Sequence, residues 1–430
     1  MHDPRVLLDP ATDAVRKLAR RGYDLDVEQL DKLCSQRNTT IQASDKARAE
    51  SNRVAKEVGA AAKGGENVTQ LREQARELKT RIQELEEQQR LVEADLQELL
   101  LSIPNLPSNE LPDGNSEDFA EQVRMWGNPP AFDFEPADHV HIGERLGIFD
   151  FARATKLSGP RFAVVKGVGA QLERALAQFF LELHTDRHGY TEFSLPAIVN
   201  RPTMTGTGQL PKFEEDLFKT VVAERELFLI PTAEVPLTNL HAGETLQGET
   251  LPLAYTAHTP CFRSEAGSYG KDTRGLIRLH QFAKVELVRL CAPDQSRREL
   301  EVMLAHAETC LKELGLAHRI VKLAAGDIGF SAVFTYDIDV WLPSQRRYRE
   351  ISSVSDCGTF QARRAGIRTK FKDGTRGFAA TLNGSGLPIG RTVVAILEQY
   401  QQANGSVCMP DALVPYLRFR QINPDGTVTR

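Results

Sequence analysis

The sequence lacks the features that mark disulfide-stapled, zinc-binding and membrane-spanning proteins. Its six cysteines are scattered and none forms a Cys-x-x-Cys pair, so neither a disulfide framework nor a zinc site is predicted. No run of apolar residues approaches the roughly 18 that cross a bilayer. The first residues, Met1 to Arg5, are not followed by the apolar segment of a signal peptide. We therefore expect a cytoplasmic protein with reduced thiols and no membrane partner.

An excess of positive charge is also absent. The formal net charge is −5 at pH 7, so the surface as a whole would weakly repel a nucleic acid. Any contact with RNA would have to come from local basic patches. The chain has 430 residues, of which 41% are hydrophobic and 26% are charged. This composition is ordinary for a globular protein, and the length allows two domains.

Proline and aromatic residues are missing from residues 26–101, which sets this segment apart from the rest. Gly64-Gly65 marks a turn in its middle. After the turn, residues at alternating steps of four and three form a heptad pattern with one polar position, at Leu71, Ala75, Leu78, Ile82, Leu85, Gln89, Val92, Leu96 and Leu99. Such a pattern is typical of a coiled coil. It predicts an antiparallel helical hairpin whose arms, at roughly 35 residues, would each be about 50 Å long.

Two functions fit such a hairpin. Heptads commonly mediate dimerisation. The second arm is rich in glutamate, but the first becomes basic toward its tip, through Arg37, Lys46, Arg48, Arg53, Lys56 and Lys63. Basic residues of this kind favour an arm that contacts a nucleic-acid backbone. The composition leaves both interpretations open.

A linker and a second domain follow the hairpin. The predicted limits are residues 1–104 for an N-terminal domain, 105–115 for a linker rich in Asn and Pro, and 116–430 for a larger domain. In the larger domain helices alternate with short apolar runs, which predicts an α+β fold with an antiparallel sheet flanked by helices. The clearest segments are a helix from Gln171 to His188 and strands at 227–230, 285–290, 335–342 and 369–371.

The segment that follows residue 260 predicts a nucleotide site. Arg263 and Glu265 end one apolar run, Phe282 lies in the next, and the loop between them contains Gly267, Gly270 and Gly275. An arginine can grip phosphate through its planar guanidinium, and an aromatic ring can stack on a base. Glycines let a loop approach a ligand closely. An ordinary surface hairpin with a charged tip is the alternative.

Five short motifs resemble those of the seryl-tRNA synthetases, a class II aminoacyl-tRNA synthetase family, and they occur in the family's order. They are Thr232-Ala233-Glu234, Phe262-Arg263-Ser264-Glu265, Lys284-Val285-Glu286, Glu350-Ile351-Ser352-Ser353 and Thr381-Leu382-Asn383-Gly384-Ser385. Pro196 stands where class II motif 1 has its proline, and Leu387 to Arg391 resembles motif 3. The resemblance covers essentially the whole chain.

The resemblance implies an enzyme and its partners. Its N-terminal hairpin would bind tRNA, and its class II catalytic domain would attach L-serine to serine tRNA through a seryl-adenylate. Selenocysteine tRNA would be a further substrate where it is present. ATP would be the co-substrate, Mg²⁺ the metal, and the enzyme a homodimer.

The resemblance also implies roles for individual residues. Arg263 and Arg391 would be catalytic: Arg263 would hold the α-phosphate and the substrate carboxylate, and Arg391 would reach the γ-phosphate. Further ATP contacts would be Ser264, Glu265, Leu279, Phe282, Glu350, Ile351, Ser352 and Ser353, with Glu350 and Ser353 also holding the metal. L-Serine would contact Thr232, Ala233, Glu234, Glu286, Thr381, Asn383 and Ser385. The tRNA contacts would include Arg37, Arg48 and Arg53, with Arg274 and Arg278 near the outer phosphates or the tRNA end.

Three positions depart from the family pattern and keep alternatives open. Ala283, Phe334 and Ala380 stand where a polar residue, a lysine and a histidine are usual. These departures are compatible with a specialised paralogue, for example an inhibitor-resistant synthetase. A serine-adenylating ligase for another carrier is a second alternative, against which the hairpin argues. A non-catalytic adaptor is a third, against which the intact charged motif residues argue.

Overall fold

The computed structural model describes residues 1–65, 67–266 and 274–430. These divide into two compact units. One consists of Met1–Ala19 and Tyr23–Pro104, and the other of Arg20–Gly22 and Asn105–Arg430. Two glycines of the predicted nucleotide loop, Gly267 and Gly270, lie outside the described residues.

In the described part of the chain, the helices are α1 Pro4–Leu8, α2 Ala14–Ala19, α3 Val27–Gly64, α4 Thr69–Ser102, α5 His139–Arg145, α6 Phe151–Ser158, α7 Val168–Glu182, α8 Arg201–Thr207, α9 Glu234–Asn239, α10 Ser296–Glu313, α11 Phe360–Ala365, α12 Ile389–Gln399 and α13 Val414–Leu417. The strands are β1 Glu121–Trp126, β2 Thr191–Glu192, β3 Ile198–Asn200, β4 Lys219–Val222, β5 Arg225–Leu229, β6 Thr245–Gln247, β7 Leu253–Phe262, β8 Gln281–Cys291, β9 His318–Lys322, β10 Phe334–Leu342, β11 Arg347–Asp356, β12 Arg368–Lys370, β13 Arg376–Phe378, β14 Ala380–Pro388, β15 Val407–Cys408, β16 Gln421–Ile422 and β17 Val428–Thr429. Across the described ranges, every helix is too short or too polar to span a bilayer.

Helices α3 and α4 form the antiparallel hairpin that the heptads predict. Asp26 begins α3 by accepting the backbone N–H of Gln29, and Gly65 ends it in the left-handed conformation at φ 74°. Glycine has no Cβ to oppose that conformation, so it is a common helix terminator. Along the predicted seam, Leu85 and Leu96 are buried and the polar Gln89 is half-buried. The hairpin therefore packs through the heptad positions.

The second unit is built on an eight-stranded sheet, which confirms the predicted α+β fold. Its strand order is β1-β9-β10-β11-β14-β8-β7-β2. Every neighbouring pair is antiparallel except β2 and β7. The predicted strands correspond to β5, β8, β10 and β12. The predicted helix from Gln171 to His188 begins earlier, at Val168, and its last turn, Leu183–Arg187, is a π-helix.

Three helices cover the apolar core of this sheet. Phe180 of α7, Leu304 of α10 and Val393 of α12 are fully buried in the same cluster as Leu287 of β8. Helix α12 begins directly after β14, so Arg391 lies in its first turn. The core thus fixes β8, β14 and the start of α12 relative to one another, and these elements carry Phe282, Glu286, Ser385 and Arg391 of the candidate site.

The first residue of the predicted linker is anchored to the second unit. Asn105 is buried, and its Nδ2 donates to the carbonyl oxygens of Ser331 at 2.8 Å and Cys357 at 2.9 Å. Its Oδ1 accepts the backbone N–H of Leu106 at 3.0 Å. The domain limits 1–104, 105–115 and 116–430 remain a prediction.

We expect Asn105→Ala to destabilise the second unit. The substitution removes both hydrogen bonds of the amide and leaves the carbonyl of Ser331 without its donor, whereas the carbonyl of Cys357 keeps the backbone N–H of Phe360 at 3.2 Å. An unsatisfied buried polar group costs about 1–3 kcal/mol. Urea unfolding, followed by tryptophan fluorescence, measures the change in midpoint. Asn109→Ala is the matched control, because Asn109 is exposed in the same segment. Equal midpoints for both variants would contradict the anchoring role of Asn105.

Candidate active site

Strand β8 joins the two halves of the predicted site. It pairs with β7 on one side and β14 on the other. The register places Glu286 opposite Ser385 of β14, and Phe282 opposite Cys261 of β7. Residues two apart on a strand face the same side. Phe282, Lys284 and Glu286 therefore lie along one face of β8.

The carboxylate of Glu286 is buried and has two partners. Thr232 Oγ1 donates to Glu286 Oε2 at 2.8 Å, and Nζ of Lys284 forms an ion pair with the same oxygen. Lys284 and Glu286 are both buried. A buried charge needs a partner of opposite sign, and removing that partner is strongly destabilising. Lys284 therefore belongs to this site.

A second carboxylate, Glu234, lies beside the first. Its Oε1 accepts hydrogen bonds from Nε2 of Gln361 at 2.6 Å and from Nδ2 of Asn383 at 3.0 Å. Burial, and then the charge of Glu286, raises the pKa of Glu234 to about 7. Two neighbouring carboxylates resist simultaneous ionisation. The pair suits a ligand that brings a positive charge.

Two of the predicted serine-binding residues, Thr381 and Ala233, are buried next to the site and do not line its cavities. Thr381 is fully buried, and its Oγ1 donates to Oε1 of Gln361 at 2.7 Å. It therefore acts on Glu234 through Gln361. The side chain of Ala233 belongs to a small apolar cluster that includes Leu237.

Two cavities open onto this side of the sheet. The larger, about 630 Å³, contains the predicted serine residues Thr232, Glu234, Glu286, Asn383 and Ser385 in its wall. The smaller, about 170 Å³, contains the predicted nucleotide residues Leu279, Phe282, Ile351 and Arg391. Both walls include Arg263, Glu265, Arg278, Lys284, Glu350 and Ser385. A molecule in one cavity would thus share residues with a molecule in the other.

The structure brings Arg263 and Phe282 together. The guanidinium of Arg263 lies 5.2 Å from the centroid of the Phe282 ring. One face of the ring is therefore covered, and a stacked base would use the opposite face. Ser264 plays a different part, since its hydroxyl donates to the carbonyl oxygen of Glu215 at 2.7 Å. That bond ties the end of β7 to the turn at Glu214–Asp216.

The remaining charged residues of the nucleotide half are paired with each other. Glu265, at φ 54°, forms a 2.9 Å ion pair with Arg278. Arg391 Nη1 donates to the carbonyl oxygen of Glu350 at 2.8 Å and lies 3.6 Å from Glu350 Oε1. These cations and anions would have to exchange partners when a phosphate or a metal ion enters.

The other residues of the Glu350 motif lie in different environments. Ser353 lines the larger cavity and Ile351 the smaller. Ser352 is buried, and its hydroxyl donates to the carbonyl oxygen of Ser385 at 2.8 Å. Ser352 therefore holds the strand that carries Ser385.

Gly275, after the nucleotide loop, is at a position that requires glycine. Its φ is 84°, and a Cβ there would lie 2.1 Å from Nε2 of His139. The same nitrogen accepts the backbone N–H of Leu276 at 3.3 Å. His139 thus fixes the point where the chain returns to the site. Arg274 lies apart from both cavities and lines a surface cleft with Asp138.

The positions that depart from the family pattern serve packing. Phe334 is buried, with the guanidinium of Arg297 3.8 Å from its ring centroid. Ala380 is fully buried, and Ala283 packs against the main core. The walls of the two cavities contain none of these three side chains among the described residues.

The predicted tRNA-contacting arginines form ion pairs within the first unit. Arg37 pairs with Glu93 at 3.3 Å and Arg48 with Glu86 at 2.9 Å, both across the hairpin. Arg53 pairs within α3, 3.6 Å from Glu50. All three side chains remain at least 42% exposed, so they are still accessible to a ligand. Their contact with tRNA remains a prediction.

Sequence reasoning missed two residues of the site. Lys284 had a detectable signal, since it stands two residues before Glu286 in an apolar strand, and such residues share a face. Gln361 had none, because its role depends on α11 packing beside β14 and the start of α9. Only the folded chain brings Gln361 to Glu234.

Comparison with known proteins gives the family. Residues 1–107 match the family model of the seryl-tRNA synthetase N-terminal domain, and residues 218–400 match the tRNA synthetase class II core domain (G, H, P, S and T). The chain is 57% identical to Serine--tRNA ligase 2 of Streptomyces avermitilis over 427 residues, which are 99% of each chain. The chain belongs to the seryl-tRNA synthetase family. The family and the class II enzyme predicted from the sequence are thereby confirmed.

Other members of the seryl-tRNA synthetase family resemble the chain over its whole length. Serine--tRNA ligase of a Psychrobacter species is 50% identical, over 98% of this chain and 99% of that protein. A crystal structure of seryl-tRNA synthetase from Pyrococcus horikoshii, complexed with ATP, superposes with a TM-score of 0.91 at 34% identity. The alignment covers 99% of this chain and 100% of that one. The helical hairpin and the sheet are thus both family features.

Proposed function

We propose that this protein attaches L-serine to serine tRNA in two steps. Serine and ATP would first form seryl-adenylate and pyrophosphate, and the seryl group would then pass to the terminal ribose of the tRNA. The observation that carries the proposal is the meeting of two cavities at Arg263. One contains paired buried carboxylates, and the other contains an aromatic ring and arginines.

The larger cavity offers what serine requires. The substrate ammonium would meet Glu234 and Glu286, and the substrate hydroxyl would meet polar groups such as Thr232 and Ser385. A buried site built for a hydroxyl rejects an analogue without one by roughly 10⁴-fold, because its polar groups are left unpaired. Alanine is therefore excluded from the site because it lacks the hydroxyl group. Threonine has to be excluded by lack of space for its methyl group, which is worth about 1–3 kcal/mol.

The smaller cavity offers what ATP requires. Adenine would stack on the free face of Phe282, and its amino group would donate to Glu265. Arg263 would bring together the α-phosphate and the serine carboxylate, because it lines both cavities. Positioning and neutralisation of charge supply most of the catalysis in phosphoryl chemistry. Arg391 would reach the outer phosphate after leaving Glu350.

The residues around Glu350 fit a magnesium ion. Glu350 and Ser353 both line the larger cavity and supply hard oxygen ligands. Asp337 faces Ser353 across β10 and β11, and its buried Oδ1 lacks a hydrogen-bond partner. Burial, and then the charge of Glu350, raises the pKa of Asp337 well above its usual range. An orphaned carboxyl oxygen next to a carboxylate suits a cation, and Mg²⁺ bound here would neutralise phosphate charge.

The hairpin and the quaternary structure complete the proposal. The hairpin would be the tRNA-binding arm of an N-terminal domain, residues 1–104, and the enzyme would be a cytoplasmic homodimer. The family match of residues 1–107 supports the first point. A ligase for another carrier would have no use for such an arm. A specialised paralogue finds no support in Ala283, Phe334 or Ala380, whose side chains pack away from both cavities.

Arg263→Lys tests the central assignment. Lysine keeps the positive charge but loses the planar fork that could hold phosphate and carboxylate together. We expect serine-dependent ATP–pyrophosphate exchange to fall by about 10²–10³-fold. Arg225→Lys, at an exposed position of β5, is the matched control. Near-normal exchange by the Arg263 variant would remove Arg263 from the reaction.

The pH dependence of serine binding tests Glu234. Its pKa is raised to about 7, so below that pH the carboxyl is neutral and binds an ammonium poorly. If only the ionised form binds, the KM for serine should fall about tenfold between pH 6 and pH 8. Glu234→Gln should raise the KM and flatten this profile, whereas the exposed Glu224→Gln should leave it unchanged. An unaltered profile in Glu234→Gln would assign the titration to another group.

Removing the hairpin separates activation from transfer. If residues 27–102 form a tRNA arm, joining Asp26 to Ile103 by a short glycine linker should spare pyrophosphate exchange. Charging of tRNA should fall steeply, because backbone contacts supply much of the affinity for a nucleic acid. Light scattering should find the same dimer with and without the arm. A monomer that is inactive in both assays would instead support a dimerisation coiled coil.

A further inference from the structure

A small sheet of the second unit presents a positively charged surface. Its strands lie in the order β13-β12-β6. One side of the sheet is exposed and carries Arg368 and Lys370 of β12 and Arg376 of β13, beside Thr245 and Gln247 of β6. These five residues are called the basic face below. They include no carboxylate, and none of them lines either cavity, so the basic face is a surface separate from the candidate active site.

The opposite side of the sheet anchors it to the second unit. Leu246 of β6 and Thr369 of β12 are buried, and Leu246 belongs to the same apolar cluster as Ile367, which directly precedes β12. A tight turn closes the end of the sheet, since the N–H of Phe371 donates to the carbonyl oxygen of Thr375 at 2.9 Å. The strands that carry the cations are thus held in place by the core.

The cations of the basic face repel one another. Lys370 stands directly opposite Arg376 in the antiparallel pair of β12 and β13. Side chains at such positions are about 5 Å apart, and like charges there are destabilising. In the described part of the chain, Arg368, Lys370 and Arg376 form neither an ion pair nor a side-chain hydrogen bond. An anion bound on this face would relieve the repulsion.

Carboxylates beside the basic face are occupied by the backbone. Asp373, in the turn between β12 and β13, accepts the N–H of Thr375 at 2.8 Å. Glu249, which follows β6, accepts the backbone N–H of Lys372 at 3.1 Å. Lys372 is exposed and adds a further cation at the end of the sheet. Within the described ranges the positive charge here is therefore not compensated, although the formal net charge of the chain is −5.

The side chains of the basic face suit the backbone of double-stranded RNA. The ring of Phe378, at the margin of the face, packs against the apolar cluster, and the guanidinium of Arg363 lies 4.6 Å from its centroid. This ring is thus not free to stack on an unpaired base, as single-stranded RNA would require. Cations, together with the hydroxyl of Thr245 and the amide of Gln247, suit the phosphates and ribose hydroxyls through which RNA duplexes are recognised. The face also lacks the apolar anchor that protein interfaces use.

We propose that the basic face binds the phosphate backbone of a paired stem of serine tRNA, with Arg368, Lys370 and Arg376 contacting neighbouring phosphates. The inference rests on the proposed function, and it adds a contact in the second unit to the one expected of the helical hairpin. Because neither cavity includes the basic face, this contact serves tRNA binding and leaves the activation of serine unaffected.

The charge of this sheet has one competing explanation. Strand β13 lies at an edge of the sheet, and lysine or arginine on an edge strand discourages pairing with another chain. That function involves no RNA, so loss of the charge would affect tRNA binding no more than an equal loss elsewhere on the surface. The two explanations differ in the salt dependence of tRNA binding, because each phosphate contact releases counterions.

The test removes the three cations together, in Arg368→Gln/Lys370→Gln/Arg376→Gln. Serine-dependent pyrophosphate exchange without tRNA should stay within about twofold, since these are surface substitutions. The dissociation constant for serine tRNA at about 0.15 M salt should rise about tenfold, and the slope of log affinity against log salt should fall by about three. The matched control should change neither quantity. It removes three exposed cations that form no ion pair in the described chain, in Lys156→Gln/Arg225→Gln/Arg298→Gln.

Two further variants make the result specific to phosphate contacts. Arg368→Lys/Lys370→Arg/Arg376→Lys should keep the wild-type salt slope, because a phosphate contact depends on the charge more than on the particular side chain. Lys370→Gln alone should lower the slope by about one. The single variant decides the matter if the triple variant loses pyrophosphate exchange by misfolding.

Phosphate-ethylation interference locates the contact on the tRNA. With the wild-type protein, ethylation of adjacent phosphates in a paired stem should weaken binding, and the triple basic-face variant should lose its sensitivity at those positions. An unchanged interference pattern would overturn the proposal. So would an affinity and a salt slope equal to those of the control variant, a result that would favour edge protection or an acidic protein partner. Absence of serine-dependent exchange in the wild type would instead refute the proposed function.

Discussion

The buried ion pair between Lys284 and Glu286 is the constraint on which the site depends. Both residues lie on β8, two apart, so the strand itself sets their spacing. Removing one partner of such a pair leaves an uncompensated buried charge, which typically costs about 3–5 kcal/mol. Strand β8 therefore has to lie inside the sheet, between β7 and β14, where Thr232 and Ser385 can flank the carboxylate.

The same pairing of charges extends through the rest of the site. Arg278 is paired with Glu265, and Arg391 with Glu350. Each pair is partly exposed, and such pairs contribute about 0–1 kcal/mol. They are thus easily exchanged for stronger contacts between arginine and phosphate, which can be bidentate. In the proposed reaction the buried pair would stay fixed while the partly exposed pairs rearrange around the nucleotide.

The helical hairpin and the grouping of the serine-site residues could both be predicted from the sequence. The hairpin followed from its heptads and from Gly64-Gly65, because both are local signals. The resemblance to the family implied that Thr232, Glu286 and Ser385 would meet in one site, and all three line the larger cavity although more than 150 residues separate the first from the last. The sequence did not reveal that the side chain of Thr381 lies outside the cavity wall, or that Gln361 links Thr381 to Glu234. Such facts depend on how α11 packs, which no short-range pattern encodes.

Charge pairing would also allow an acidic protein to bind RNA through the proposed arm. The net charge of −5 gives no general attraction. On the hairpin, Arg37 and Arg48 are held by glutamates of the opposite helix, and their side chains are about half exposed. A phosphate can displace a carboxylate from such a pair at little cost, whereas a protein of uniformly positive charge would attract every RNA. If the hairpin is the proposed tRNA arm, this pairing would lower its non-specific affinity while it keeps the arginines oriented, and discrimination between RNAs would fall to the shape of the hairpin and of its ligand.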